Sequence, residues 1–206
     1  MSLEPAIKRA AVFIDGQNLF YAAKEAFGSQ YPDYDVKALA EQVCKANGLN
    51  PISIRFYTGV PDAQDNVKWS GFWAKKLLGM SRDGVMVYSR PLKYRNKTVK
   101  LPDGKTHSFM SASEKGVDIR IALDVIRMAI KREYDVAVVF SQDQDFSEVA
   151  DEVRLIGTEQ KRWVQVASAY PASPTFRNGR GINRTNWIKI DRATYQACLD
   201  TYNYGI

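Results

Sequence analysis

An α/β fold is what this sequence predicts: a three-layer sandwich with a central, mostly parallel five-stranded sheet and an inserted basic β-hairpin. Three observations carry the prediction. Residues 10–14 and 136–140 are short, uninterrupted apolar runs, as expected of strands buried on both faces. Between such runs lie helix-length segments with apolar residues three and four apart, and strands alternating with helices build a parallel sheet. One stretch, 90–110, breaks the alternation; it is rich in Lys and Arg and carries the turn signal Asp103-Gly104.

Taken in order, residues 10–15 read as a buried strand and 17–27 as the helix after it, with Gly28-Ser29-Gln30-Tyr31-Pro32 a loop. In 36–46, Val36, Leu39, Ala40 and Val43 share one helical face; Asp35 is the N-cap and Asn47-Gly48 the stop. Residues 52–58 alternate Ile52, Ile54 and Phe56 against Ser53, Arg55 and Tyr57, a second strand. Pro61-Asp62 opens a helix over 63–80, and its Trp69, Phe72 and Trp73 are expected to pack in the core. A third strand covers 84–89, and the hairpin follows. Then come a helix over 116–132, a fourth strand over 135–140, a helix over 147–156 and a fifth strand over 162–167. Residues 170–184, with two prolines and two glycines, form a loop. Residues 186–191 are a short extended segment and 193–199 a terminal helix. One domain is expected over 8–192, with 193–206 a C-terminal helix and tail.

Composition narrows the function classes. With 206 residues, 45% hydrophobic and 25% charged, the chain can bury one core and is too apolar for disorder. No apolar run approaches the roughly 20 residues of a membrane span, and residues 1–9 lack the apolar core of a signal peptide. Cys44 and Cys198 sit in helical patterns and form no CxxC, which points to reduced thiols and a cytoplasmic protein. The single histidine, His107, excludes a two-histidine acid–base pair and argues against a histidine-rich zinc site. Neither GxGxxG nor a Walker A loop is present to cradle a nucleotide cofactor.

Two apolar runs end in acids. The first runs into Asp15-Gly16-Gln17-Asn18 and the other into Ser141-Gln142-Asp143-Gln144-Asp145-Phe146. In open α/β sheets, ligands gather at that edge. Asp15 suits a turn or cap as well as a ligand, and Asn18 either caps the next helix or orients Asp15. Asp118 aligns with Ala122, Val125 and Ala129, the strip expected to face the sheet, and an inward carboxylate wants a cation. Asp124 falls with Arg120, Arg127 and Lys131 on a polar face and reads as an ion-pair partner. Asp145, with Glu148 three residues on, fits a capping box, which accounts for one aspartate and not for Asp143. Ser141 suits orienting a carboxylate or the substrate. If the first and fourth strands are neighbours, Asp15, Asp118, Asp143 and Asp145 converge on an oxygen-only site suited to Mg²⁺ or Mn²⁺ rather than zinc.

Three stretches in order carry a family resemblance: Phe13-Ile14-Asp15-Gly16-Gln17-Asn18, Glu114-Lys115-Gly116-Val117-Asp118 through Leu123-Asp124, and Ser141-Gln142-Asp143-Gln144-Asp145-Phe146. They resemble the NYN-domain family of the PIN-like nuclease superfamily, and Gly84-Val85-Met86-Val87-Tyr88-Ser89-Arg90-Pro91-Leu92-Lys93 is similar to its third strand and exit. The resemblance covers about 9–167. It implies a parallel sheet between helices, an acidic pocket holding Mg²⁺ or Mn²⁺, and metal-dependent hydrolysis of RNA. Carried onto this sequence, it makes Asp15, Asp118, Asp143 and Asp145 the metal-binding set, with Asn18, Lys115, Asp124 and Ser141 in supporting positions. The chain departs at Gln142, where the family usually has glycine; a side chain there is expected to narrow the pocket. A few relatives are described as hydroxylases of heteroaromatic acids.

The basic stretch supplies the candidate substrate contacts. Arg90, Lys93, Arg95, Lys97, Lys100 and Lys105 face one acid, Asp103, so this stretch carries five of the chain's six net positive charges. Tyr94 and Phe109 interleave, a pattern suited to phosphate tracking with base stacking and equally to an edge kept soluble by lysines. A second basic loop holds Arg177, Arg180 and Arg184 near Phe176 and Trp187. The leading expectation is a Mg²⁺- or Mn²⁺-dependent endoribonuclease acting on single-stranded RNA. Its reaction centre comprises Asp15, Asp118, Asp143, Asp145, Asn18 and Ser141; Lys115, Arg90, Lys93, Arg95 and Lys97 hold the substrate. The alternatives are a non-catalytic RNA-binding domain and an NAD(P)H-dependent hydroxylase of a small heteroaromatic acid. Whether two copies pair as a homodimer is left open by the sequence.

Overall fold

The computed structural model describes residues 3–100, 104–174 and 179–205. In chain order its elements are β1 (Lys8–Asp15), α1 (Gly16–Phe27), α2 (Val36–Ala46), β2 (Leu49–Val60), α3 (Val67–Arg82), β3 (Met86–Pro91), β4 (Lys93–Lys100) and β5 (Thr106–Ser113). There follow α4 (Val117–Ile130), β6 (Val136–Phe140), α5 (Phe146–Glu159), β7 (Gln165–Pro171), β8 (Asn186–Ile190) and α6 (Arg192–Ala197).

β1 is the spine of the sheet because every residue from Ala10 to Asp15 is buried. Its neighbours are β2 on one side and β6 on the other, both parallel to it. The full order is β3-β2-β1-β6-β7-β8, and every pairing is parallel. Among the described residues the sheet therefore has six strands, not five. The sixth is the segment at 186–190, an edge strand in which only Ile190 is fully buried, so no apolar run announces it.

Pleating divides β1 between two cores. Ala10, Val12 and Ile14 pack with α1, α2 and α3 and with Tyr195 of α6 on one face. Ala11 and Phe13 pack with α4 and α5 on the other. Each face of the strand is thus dry, and burying a side chain such as Phe13 contributes on the order of 2–3 kcal/mol. Helix starts are set by short polar side chains: Asp35 Oδ1 accepts from the Ala38 N–H at 2.9 Å, and Asn66 Oδ1 from the Trp69 N–H at 3.1 Å. The second cap begins α3 four residues later than Pro61-Asp62 suggests, because Asn66 completes the hydrogen bonding that a first turn needs.

The basic stretch is a hairpin, as expected. β4 and β5 pair antiparallel from Lys93↔Ser113 to Lys100↔Thr106 and form a separate two-stranded sheet. Asp103 of its turn lies outside the described residues; Gly104 has a φ of +83°, the left-handed region a tight turn asks of glycine. The hairpin leaves at the carboxyl end of β3 and returns to α4, so it stands over the same edge of the sheet at which β1 and β6 end.

Candidate metal and nucleic-acid site

The chain moves outward from β1 through β2 to β3, then returns to β6 and moves the other way. The carboxyl ends of β1 and β6 therefore flank the point where strand order reverses, the place in an open parallel sheet where loops diverge and leave a crevice. Ile14 pairs with Phe140, which sets Asp15 beside Ser141. Asp15 caps α1, its Oδ1 accepting from the Asn18 N–H at 3.0 Å. Asn18 Oδ1 in turn accepts from the Gln142 N–H at 3.0 Å, so Asn18 stitches the two strand ends together.

An open cleft of about 980 Å³ lies over this seam. Asp15, Glu25, Glu114, Asp118 and Asp143 line it, as do Arg90, Lys93 and Lys115. Burial pushes the Asp15 carboxyl up to about 6, opposed by the Asn18 N–H and reinforced by the charges of Asp143 and Asp118. Burial also pushes Glu114 up to about 7, against the hydrogen bond it accepts from the Gly59 N–H and with the charges of Asp15 and Asp118 adding to it. Acids that disfavour each other's charge are the electrostatic signature of a place prepared for a cation.

Glu114 is the residue that sequence reasoning passed over. It lies inside the second family-like stretch, yet nothing in the local pattern shows that a glutamate ahead of α4 turns back toward β2. The signal that could have found it is Gly59: a side chain there would run into Leu92 and Glu114, so the strand end is kept bare where the glutamate docks. Gly116, the N-cap of α4, has a φ of +74°, and no side chain caps the helix. Its first N–H groups are left to a ligand or to water.

The structure redistributes several expected residues. Asp118 lines the cleft but is exposed, not turned against the sheet; the first turn of α4 overhangs the strand ends, so the residue in phase with the packed strip meets open space. Asp124 is buried rather than on an exposed polar face. It accepts from the Tyr57 hydroxyl at 2.9 Å, pairs with Arg120 at 2.8 Å and has Arg55 at 3.8 Å, while Arg127 does not join it. Asp145 occupies the N-cap position of α5, but its carboxyl caps nothing. It is exposed and outside the cleft, its N–H donating to Asp143 Oδ1 at 3.0 Å. Ser141 is buried below the cleft and its Oγ accepts from the Asp143 N–H at 3.1 Å, so it holds the loop that carries Asp143. Of the hairpin cations, Arg90 and Lys93 line the cleft, whereas Arg95 and Lys97 are exposed beyond it. Arg90 is held by the Tyr88 hydroxyl, to which its Nε donates at 2.5 Å, and by the Tyr88 ring at 5.6 Å.

Gln142 does not plug the pocket with a free side chain. Its Nε2 donates to the Arg180 carbonyl at 2.7 Å, and Gln144 Nε2 donates to the Gly181 carbonyl at 3.1 Å. The two glutamines thereby tie the loop ahead of β8 to the end of β6. Arg180 and Arg184 do not line the cleft; Arg184 is ion-paired with Asp151. Phe176 and Arg177 lie outside the described residues. Trp187 is 45% exposed rather than packed in a core, its Nε1 donating to the Ile182 carbonyl at 2.7 Å.

The donors around the cleft suit a hard divalent ion. They are carboxylates from three separate stretches of chain, with no sulfur or imidazole among them. Among the described residues no three acids, histidines or cysteines close into a compact cage. Mg²⁺ tolerates that arrangement, since it keeps several of its waters and takes one or two carboxylates directly.

A parallel α/β sandwich with an acidic cleft at its switch point belongs with the PIN-like nuclease folds. The NYN domain family model matches residues 9–178, and the chain belongs to that family. The chain is 26% identical over 154 residues to the low amplitude and bright protein LabA of Synechococcus elongatus, covering 75% of this chain and 71% of that protein. A crystal structure of a protein of unknown function from Vibrio parahaemolyticus aligns over 92% of this chain and 97% of its own, with a TM-score of 0.53 at 20% identity, a likeness of fold. Among the described residues no helix is long and apolar enough to cross a membrane.

Proposed function

We propose that the protein is a divalent-metal-dependent ribonuclease that hydrolyses RNA phosphodiesters in the cleft between β1 and β6. One observation supports this above the rest: five carboxylates from three separate stretches line one cleft together with three cations. Asp15, Asp143 and Asp118 are the residues that would hold the ion. When bound, Mg²⁺ or Mn²⁺ supplies an activated water and neutralises charge on the phosphoryl oxygens.

The remaining chemistry belongs to the chain. Arg90, Lys93 and Lys115 hold the phosphates, with the uncapped start of α4 beside them. Glu114, whose carboxyl titrates at about 7, holds or releases a proton at neutral pH. Asn18 and Ser141 fix the loop that carries Asp143. Two buried free cysteines fit a reducing compartment such as the cytoplasm.

The test is Mn²⁺-dependent cleavage of single-stranded RNA by wild type and by Asp143→Asn. Cleavage should fall at least a hundredfold in the variant; cleavage that survives removes the mechanism. A second reading is favoured by the absence of a compact cage among the described residues. In it the domain binds RNA without cutting it, and RNA is retained in EDTA with no cleavage under any metal.

A further inference from the structure

Beside the acidic cleft lies a second, apolar groove of about 390 Å³, between α1, the start of α3 and the hairpin. Its size falls in the range of small-ligand pockets. Its walls are aromatic: Phe20 and Tyr21 from α1, Trp69 and Trp73 from α3 and Tyr94 from β4. The expectation that Trp69 packs wholly in the core accounts for only one side of the ring. Trp69 meets Phe72 edge-on at 5.3 Å, yet it stays half-buried, and Tyr21 is 55% exposed.

The groove and the cleft are adjacent, with Gln17, Tyr21 and Leu92 lining both. Strand alternation sends Tyr94 into the groove while its neighbour Lys93 lines the cleft and Arg95 stays exposed. The Asp65 carboxylate, also lining the groove, makes no hydrogen bond or ion pair among the described residues. Flat rings, cations along the connecting strand and an acceptor at the wall are what an unpaired base, its phosphates and its amino group require.

We propose that this groove is a nucleobase subsite, taking one unpaired base of an RNA strand whose phosphate lies in the acidic cleft. The base stacks on Trp69 and Tyr94, and Asp65 accepts from an exocyclic amine, so adenine, cytosine and guanine are bound in preference to uracil. The proposal rests on the ribonuclease reading for the phosphate's position and extends it to substrate choice. A peptide partner is disfavoured because the five rings lie beside a phosphate-compatible cleft and not on an apolar surface.

The experiment is equilibrium binding of fluorescent RNA hexamers in Ca²⁺, comparing an intact oligomer with one carrying a single abasic site stepped along its length. Wild type should lose roughly tenfold in affinity at one abasic position. Trp69→Ala and Tyr94→Ala should lose a similar factor and stop distinguishing the abasic oligomer; Trp69→Phe should keep most of the discrimination. Tyr94 sits on the hairpin outside the two cores, so its variant keeps the test independent of folding. Equal binding of intact and abasic oligomers by wild type overturns the subsite, as does unchanged discrimination in Tyr94→Ala. Cleavage separates the two readings. A protein that cuts RNA without base discrimination keeps the nuclease and loses the subsite; one that discriminates without cutting under any metal does the reverse.

Discussion

Replacing Asp15 by Asn should stabilise the metal-free protein at neutral pH while weakening its hold on a divalent ion. Burial moves the Asp15 carboxyl from 3.8 to about 6. At 1.36 kcal/mol per unit, that shift corresponds to about 3 kcal/mol. The sign follows from proton counting. Between pH 4 and 6 the folded state keeps a proton on Asp15 that the unfolded chain has released, so stability falls as pH rises through that window and is flat above it. The asparagine side chain would carry no charge to bury, and its oxygen still accepts from the Asn18 N–H, so the cap on α1 survives.

The assay is thermal unfolding by circular dichroism from pH 4.5 to 8, in EDTA and in Mn²⁺. In EDTA the variant should exceed wild type at pH 7.5 by up to about 3 kcal/mol, roughly 6–12 °C in Tm for a chain of this size. The gap should close toward pH 4.5. Glu114 titrates at about 7 in both proteins, so the quantity to read is the difference between the two profiles. Mn²⁺ at a hundred times its Kd should raise wild-type stability by about 2.7 kcal/mol and leave the variant nearly unmoved. Superimposable pH profiles in EDTA, or an equal response to Mn²⁺, would refute the account of Asp15 as a buried carboxylate awaiting a cation.

Two further outcomes are expected. Asp124→Ala removes the acceptor of the Tyr57 hydroxyl and the partner of Arg120, leaving buried polar groups unpaired; chemical denaturation should show a loss of about 3 kcal/mol. Gln142→Gly should cost at least about 1 kcal/mol, the worth of the bond to the Arg180 carbonyl alone, and should speed proteolytic cutting of the loop at 179–184 severalfold.

The strand ends were legible because a strand buried on both faces leaves no other reading of 10–14 and 136–140, and because parallel strands put their carboxyl ends on one edge. Asp15 and Asp143 follow from that alone. What the sequence hid were the contacts made between elements. Helical phase places Asp118 correctly on its strip but cannot say where the sheet stops beneath it, and α4 runs past the strand ends. Phase likewise puts Asp124 among arginines, whereas Tyr57 and Arg55 of β2 draw it inward.

Glu114 shows why the difference matters for function. Its place in the cleft depends on Gly59, fifty-five residues earlier, having no side chain to keep Leu92 and the glutamate away. That same bare strand end lines the aromatic groove. The acid that titrates near neutrality and the pocket offered to a base are therefore built against one another through the end of β2. A substitution at Gly59 should disturb cleavage and base discrimination together, whereas one at Asp143 should abolish cleavage and leave discrimination intact.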